Sequence, residues 1–306
     1  MEEPLNVPRS IRVREVGPRD GIQSEKAEVS TEEKVRLIDA LSASGLAAIE
    51  AVSFVSPRAV PQMADAADVL ANIARRPGVF YSALVPNRRG AEAAADAEAD
   101  GMQVFVAATD SYNERNVGRS VHASLEDVRE VVEIGREAHL PVEGTISVSF
   151  GCPYEGDVSP ARVAEVSMWI ADLGIASISY GDTTGMASPR RVAEVVEAVR
   201  ERVPGVDINM HFHDTRGAGL ANVLAAMHLG IGYFDSSIGG MGGSPFAEGA
   251  TGNIATEDLV HMVHDMGVET GVDLQVLLEA ARIAQGLVAG ELPAKVLKAG
   301  PVASAG

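Results

Sequence analysis

Cysteine is almost missing from this chain. Of 306 residues only Cys152 carries a thiol, so no intramolecular disulfide can form, which fits a reducing cytoplasm. Basic residues are also scarce. Lys and Arg number 25 against 43 Asp and Glu, a formal net charge of −18. With no basic stripe, a nucleic-acid partner is excluded, and an anionic ligand needs a local basic patch or a cation. No apolar run approaches membrane-spanning length. The opening MEEPLNVPRS has no apolar core of the signal-peptide type. The expectation is a cytoplasmic protein without a membrane partner. No nucleotide fingerprint occupies the first strand-to-helix turn, and no internal repeat is visible.

What is present is a 46% hydrophobic fraction, enough for a substantial core. Strand-like and helix-like segments alternate throughout. Strands are expected at Ile11–Val16, Ala47–Phe54, Val79–Val85, Met102–Ala107, Val142–Phe150, Ser177–Tyr180, Ile208–Asp214 and Tyr233–Ile238. Ser30-Thr31-Glu32-Glu33 reads as a capping box opening a helix through Leu41 that stops at Gly45. Ser159-Pro160 and Ser188-Pro189 read as N-caps with Pro in the first helical position. Other helices are expected over about 61–76, 91–99, 124–138, 218–229, 256–266 and 273–288. Eight such units with no linker argue an α/β (β/α)8 TIM barrel with short additional C-terminal helices. It is expected as one unit over 1–306, the barrel over about 11–270, then a C-terminal helix and tail over 271–306. A doubly wound open sheet is the alternative.

In a barrel the chemistry sits at the C-terminal ends of the strands. There this sequence places Arg19, Asp20 and Gln23 after strand one, Glu50 and Ser53 on strand two, and Asn87 after strand three. Asp182 ends strand six, His211 and His213 lie on strand seven, and Asn253 follows strand eight. On a strand, Asn209, His211 and His213 share one face. Two imidazoles and one carboxylate make a metal set with room for water or substrate, suited to Mg2+, Mn2+ or a borderline transition metal. Plainer readings stand beside each assignment. The histidines fit a core role, and Arg19-Asp20 a surface turn with a local ion pair. Asp182 fits a turn carboxylate capping backbone N–H groups, Glu50 an interior ion pair with Arg19, and Asn253 a helix N-cap before Thr256.

Five stretches carry a resemblance. They are Val16-Gly17-Pro18-Arg19-Asp20-Gly21-Ile22-Gln23, the run from Glu50 to Ser53-Phe54-Val55-Ser56-Pro57, Gly151-Cys152-Pro153-Tyr154-Glu155-Gly156, His211-Phe212-His213-Asp214-Thr215, and Gly249 to Asp258. Together they resemble the 3-hydroxy-3-methylglutaryl-CoA lyase family over residues 11–290. The Arg-Asp-x-x-Gln and His-x-His elements alone belong to a wider group of barrel metalloenzymes that make or break C–C bonds. The resemblance implies a divalent metal, commonly Mg2+ or Mn2+, with Asp20, His211, His213 and Asn253 matching its ligands. Arg19 matches the group that contacts substrate and steadies the enolate; Glu50, Asp182 and Gln23 match supporting positions. The implied reaction is retro-Claisen cleavage of an acyl-CoA to acetyl-CoA and a keto acid such as acetoacetate. A homodimer is the usual state for such an enzyme. The glycine-rich 239–252 loop is the natural lid. Lys26 and Arg58 are candidates for the CoA phosphates, with plain surface solubility as the other reading.

One departure stands out. The family loop reads Gly-Gly-Cys-Pro with the cysteine as catalytic acid; here it reads Gly242-Gly243-Ser244-Pro245. A hydroxyl is a far weaker acid than a thiol of pKa about 8.5. Ser244 then relays a proton from His211 or water, or another group protonates the enolate, or the substrate differs; a plain flexible loop residue is the remaining reading. Thr145 stands where better-known members carry tyrosine, which bears on the substrate pocket. Alternatives are therefore a lyase for citramalyl-CoA or a longer 3-alkyl homologue, a Claisen-condensing acyltransferase, and a barrel without activity.

Overall fold

Eight parallel strands pair in chain order and close on themselves in the computed structural model, which describes residues 6–25, 28–243 and 252–302. They are β1 Arg12–Glu15, β2 Ala48–Ser53, β3 Phe80–Leu84, β4 Gly101–Ala107, β5 Val142–Ser147, β6 Ser177–Gly181, β7 Asp207–His211 and β8 Tyr233–Ser236. The ladder from Arg12↔Tyr233 to Glu15↔Ser236 joins β1 to β8 and shuts the barrel. The TIM barrel read from the alternation is the fold observed.

The expected caps account for three of the surrounding helices. Ser30 caps α1 (Thr31–Ala43) in a reciprocal capping box with Glu33. The Ser-Pro pairs open α2 (Pro160–Asp172) and α3 (Pro189–Arg202), where the serine hydroxyl accepts from Arg162 and Arg191 N–H. Apolar side chains of these helices, such as Leu37, Leu41, Val192 and Val196, are buried against the outside of the barrel.

Elsewhere the boundaries moved. The expected 61–76 helix is a short turn, Pro61–Met63, followed by the brief helix Ala66–Asn72; Ile73 is already extended as the chain approaches Pro77. The helix expected from Ser124 begins at Val121, because Ser120 rather than Ser124 caps it. A further helix, Asp110–Val117, precedes it and ends at left-handed Gly118. β5 stops early because Val148 enters the left-handed region and gives its N–H to Thr183 Oγ1 at 3.1 Å. β7 stops at His211. Beyond it the chain pairs antiparallel with the segment after β8, His213 opposite Asn253. The tail holds a further five-residue helix, Lys295–Ala299.

The inside of the barrel is polar, unlike the usual layers of branched apolar residues. Arg14 on β1 reaches Asp235 on β8 with two parallel bonds, 2.8 and 2.9 Å, and Glu143 on β5 at 2.7 Å. Asn209 and Ser179 also donate to Asp235, at 3.0 and 3.2 Å. The donors around Gln103 place its amide nitrogen against Glu50 Oε1 (2.9 Å) and its carbonyl against Arg14. Removing one partner of a buried ion pair strands the other charge, so Arg14→Met should destabilise the fold by about 3–5 kcal/mol. Chemical denaturation measures this; a loss below about 1 kcal/mol, the range of exposed pairs, would contradict it.

Candidate active site

A wide helical turn, Gly17–Gly21, follows β1 and carries Arg19 and Asp20 into the barrel mouth. Arg19 grips Glu50 of β2 with two bonds, Nε to Oε1 at 2.7 Å and the terminal nitrogen to Oε2 at 2.9 Å. Its other nitrogen donates to Asp20 Oδ1 at 2.8 Å. Asp20 Oδ2 accepts from Asn253 Nδ2 at 2.7 Å. Burial pushes the Asp20 carboxyl up, but Arg19, the two histidines and Asn253 outweigh it and hold it below its ordinary range.

Across the mouth, His211 Nδ1 lies 3.1 Å from Asp235 Oδ2, and its Nε2 lies 3.3 Å from His213 Nε2. Asp235 stays below the usual carboxylate range because Arg14 and His211 overcome its burial. An ionised Asp235 favours the tautomer with the proton on Nδ1 of His211, freeing Nε2 to ligate. One ligand atom each from Asp20, His211 and His213 falls within 4.8 Å of the others. Two imidazole nitrogens face to face beside an ionised carboxylate repel one another once both carry lone pairs, and a shared divalent cation resolves that repulsion. The donor set fits the ion.

The other sequence-derived candidates separate. Glu50 is in the interior ion pair with Arg19 and beside the site as well. Asn253 is not the N-cap of the helix Thr256–Asp265; Ala255 holds that place, and Asn253 is turned to Asp20. Asp182, at the end of β6, has Oδ1 anchored by the Ala187 N–H at 2.9 Å, and the backbone N–H groups of Met186 and His213 also favour its ionised form. Burial pushes its carboxyl up to about 7. Ser53 is buried, and its hydroxyl has no hydrogen-bond partner among the described residues. Thr145 shares the inward parity of β5 with Glu143 and is half-buried. Gln23 is half-buried beside the turn, and Arg58 is exposed. Asn87 is exposed and caps the next helix through Gly90 N–H at 3.2 Å. Lys26, Ser244 and the 244–251 part of the expected lid lie outside the described residues.

Sequence reading missed three residues that shape the site. Glu15, fully buried, accepts from Gly17 N–H at 2.7 Å and Ile238 N–H at 2.8 Å through Oε1, and from the Thr256 hydroxyl at 2.6 Å through Oε2. It ties the Arg19-Asp20 turn to the loop after β8. Glu257 accepts from Gly239 N–H at 2.9 Å in the same loop. Gly242, at φ +99, passes so close to Asn253 and Asp20 that a Cβ would lie 2.6 Å from Asn253 Nδ2. Asp235 is a fourth, and its signal was a carboxylate beside Phe234 inside a short strand.

Burial pushes Glu15 up to about 7 and Glu257 up to about 8, from 4.5. Between about 4.5 and 8 the folded chain therefore holds more protons than the unfolded one, and the contribution of these groups to stability falls as pH rises. Glu15→Gln keeps both N–H bonds on its carbonyl and should flatten the stability–pH curve between about pH 5 and 7. Glu15→Ala strands two buried N–H groups and should cost about 2–4 kcal/mol. Urea unfolding across that pH range checks both; an unchanged slope in Glu15→Gln would contradict the assignment.

The family model described as HMGL-like matches residues 10–284. The mitochondrial hydroxymethylglutaryl-CoA lyase of Gallus gallus is 48% identical over 272 residues, 89% of this chain and 91% of that one. The 3-hydroxy-3-isohexenylglutaryl-CoA/hydroxymethylglutaryl-CoA lyase of Pseudomonas aeruginosa is 45% identical over 278 residues, 91% and 93% of the two chains. The crystal structure of hydroxymethylglutaryl-CoA lyase from Pseudomonas aeruginosa superposes with a TM-score of 0.93 at 43% identity, covering 96% of this chain and 98% of that one.

Proposed function

Since this chain belongs to the HMGL-like family, we propose that it cleaves 3-hydroxy-3-methylglutaryl-CoA to acetyl-CoA and acetoacetate with the residues described above. It is a carbon–carbon lyase acting on an acyl-CoA. The observation that carries the reading is the Asp20, His211 and His213 cluster beside the clamped guanidinium of Arg19.

Asp20, His211 and His213, with Asn253, would hold a divalent cation, Mg2+ or Mn2+; bound there, it would supply the charge that acidifies a tertiary alcohol. Cleavage moves the hydroxyl proton to a base, turns the carbinol carbon into the ketone of acetoacetate, and leaves the C–C bonding pair as a thioester enolate. Asp182 is the group we assign to that proton. It is buried beside His211, and a carboxyl that burial pushes up to about 7 exchanges protons at neutral pH. Arg19 faces the enolate oxygen. Glu50 fixes its plane through two bonds, so positive charge is in position before the electron pair arrives. The enolate carbon then takes a proton; Ser244 stands at the family's position for that donor. Gln23, Ser53, Asn87 and Thr145 are the substrate-side groups of this reading, with Lys26 for the CoA phosphates.

A second reading keeps the chemistry and changes the side chain. The bacterial relative named above also takes an isohexenyl homologue, and Thr145 on the inner face of β5 leaves more room than a larger side chain. The further parts of the proposal are a homodimer, cytoplasmic residence, and one unit over 1–306. Among the described residues no helix is long and apolar enough to cross a membrane, and buried Cys152 is unpaired.

Acetyl-CoA release from 3-hydroxy-3-methylglutaryl-CoA should be seen with Mg2+ or Mn2+ and lost on chelation. No release from this thioester or its 3-alkyl homologues, with metal restored, would defeat the proposal. His213→Ala should lose bound metal and turnover together, read by elemental analysis. Arg19→Met should keep its metal while kcat falls by about 10²-fold or more, as when an oxyanion donor is removed; normal turnover there would remove its role.

A further inference from the structure

The barrel has a second mouth. At the N-terminal ends of the strands, opposite the loops that carry Arg19 and Asp20, lies a cavity of about 610 Å3, a size typical of small-molecule sites. Arg14 and Glu143, already engaged with each other, form its floor. Two more arginines reach it. Arg12 opens β1, its guanidinium resting 4.9 Å from the Tyr233 ring and 6.0 Å from that of Phe80. Arg200, near the end of the helix Pro189–Arg202, is held by a bond to the Leu229 carbonyl at 2.8 Å.

Among the described residues neither Arg12 nor Arg200 has a carboxylate within ion-pair distance, whereas Arg14 beneath them has two. Stacking on aromatic rings orients Arg12 without occupying its N–H donors. Asp207 on the rim is the opposing charge; Glu143 is bound by Arg14 and by Ser177 at 3.1 Å. Between the charged groups the wall is mixed: Met102, Val142, Val206 and Ile208 supply an apolar strip beside Ser82, Gln103 and Ser177. Two guanidiniums with donors left over, beside that strip, match a ligand with an anionic head and a short hydrocarbon body. Planar guanidinium forks suit carboxylate.

We propose that this N-terminal mouth is a second binding site, taking an amphipathic organic carboxylate between Arg12 and Arg200, separate from the catalytic mouth. The Arg14–Asp235 clamp closes the barrel between the two ends, so a ligand here contacts none of the groups assigned to the reaction.

Hexanoate is a suitable probe, with hexylammonium as its charge-reversed counterpart. Isothermal titration of the metal-loaded protein should show one saturable hexanoate site per chain and none for hexylammonium. Arg12→Gln and Arg200→Gln should each weaken hexanoate binding at least tenfold while acetyl-CoA release is unchanged. His213→Ala should bind hexanoate within twofold of the parent, which separates this site from the catalytic one whatever the reaction proves to be. Arg200 is exposed on a helix, so its variant keeps the test open if Arg12→Gln fails to fold, as judged by circular dichroism. No saturable binding, equal binding of hexylammonium, parental affinity in a folded arginine variant, or loss of binding in His213→Ala would each overturn the proposal.

Discussion

The buried carboxylate of Asp235 is the interaction on which the site depends. It lies inside a closed sheet, where an unpaired charge would be expelled or neutralised. Arg14 prevents that with two parallel bonds, and Asn209 and Ser179 fill the remaining acceptor positions. Kept ionised, Asp235 orients His211 and fixes which ring nitrogen points into the mouth. The geometry of the metal cluster is thus set from below, by a strand pair that never reaches the substrate. A barrel filled with Val and Ile would be simpler to stabilise, but it could not hold an imidazole at a fixed angle.

The upper half of the site is held by a different set of ties. Arg19 is fixed by Glu50, Asp20 by Arg19 and Asn253, and the turn that carries both by Glu15. Glu15 also binds the loop after β8, which brings Gly242 against Asn253. One buried carboxylate therefore registers two loops from opposite ends of the chain. Burial raises Glu15, Asp182 and Glu257 toward neutrality, and hydrogen bonds made in such low-dielectric surroundings are stronger than in water.

Much of this was legible in the sequence because it depends on short-range rules. Period-two and period-3.6 alternation located the eight strands, and Ser30, Ser159 and Ser188 marked three helix starts. Asp20 and the His-x-His pair stood out because barrel topology brings one carboxylate and two same-face imidazoles to the same end of the sheet. What failed depended on distant partners. His213 was read as part of β7, yet it owes its place to pairing with Asn253 across 40 residues of chain. Ser124 resembled a cap, but Ser120, four residues earlier, had the extended backbone a cap needs. Glu15 and Asp235 gave no local sign that one would bridge two loops and the other would orient a ligand, since the Ile238 and Thr256 partners of Glu15 and every partner of Asp235 lie more than 20 residues away. Glu50 shows a different limit: the plain reading, an ion pair with Arg19, and the functional one describe the same bond.

The central claim is that Asp20, His211 and His213 converge on one cation. Anomalous diffraction from crystals soaked in Mn2+ tests it most directly. The account predicts a single strong peak within coordination distance of an Asp20 carboxylate oxygen and the Nε2 atoms of both histidines. A peak elsewhere, or none while His211 and His213 keep facing each other, would contradict it.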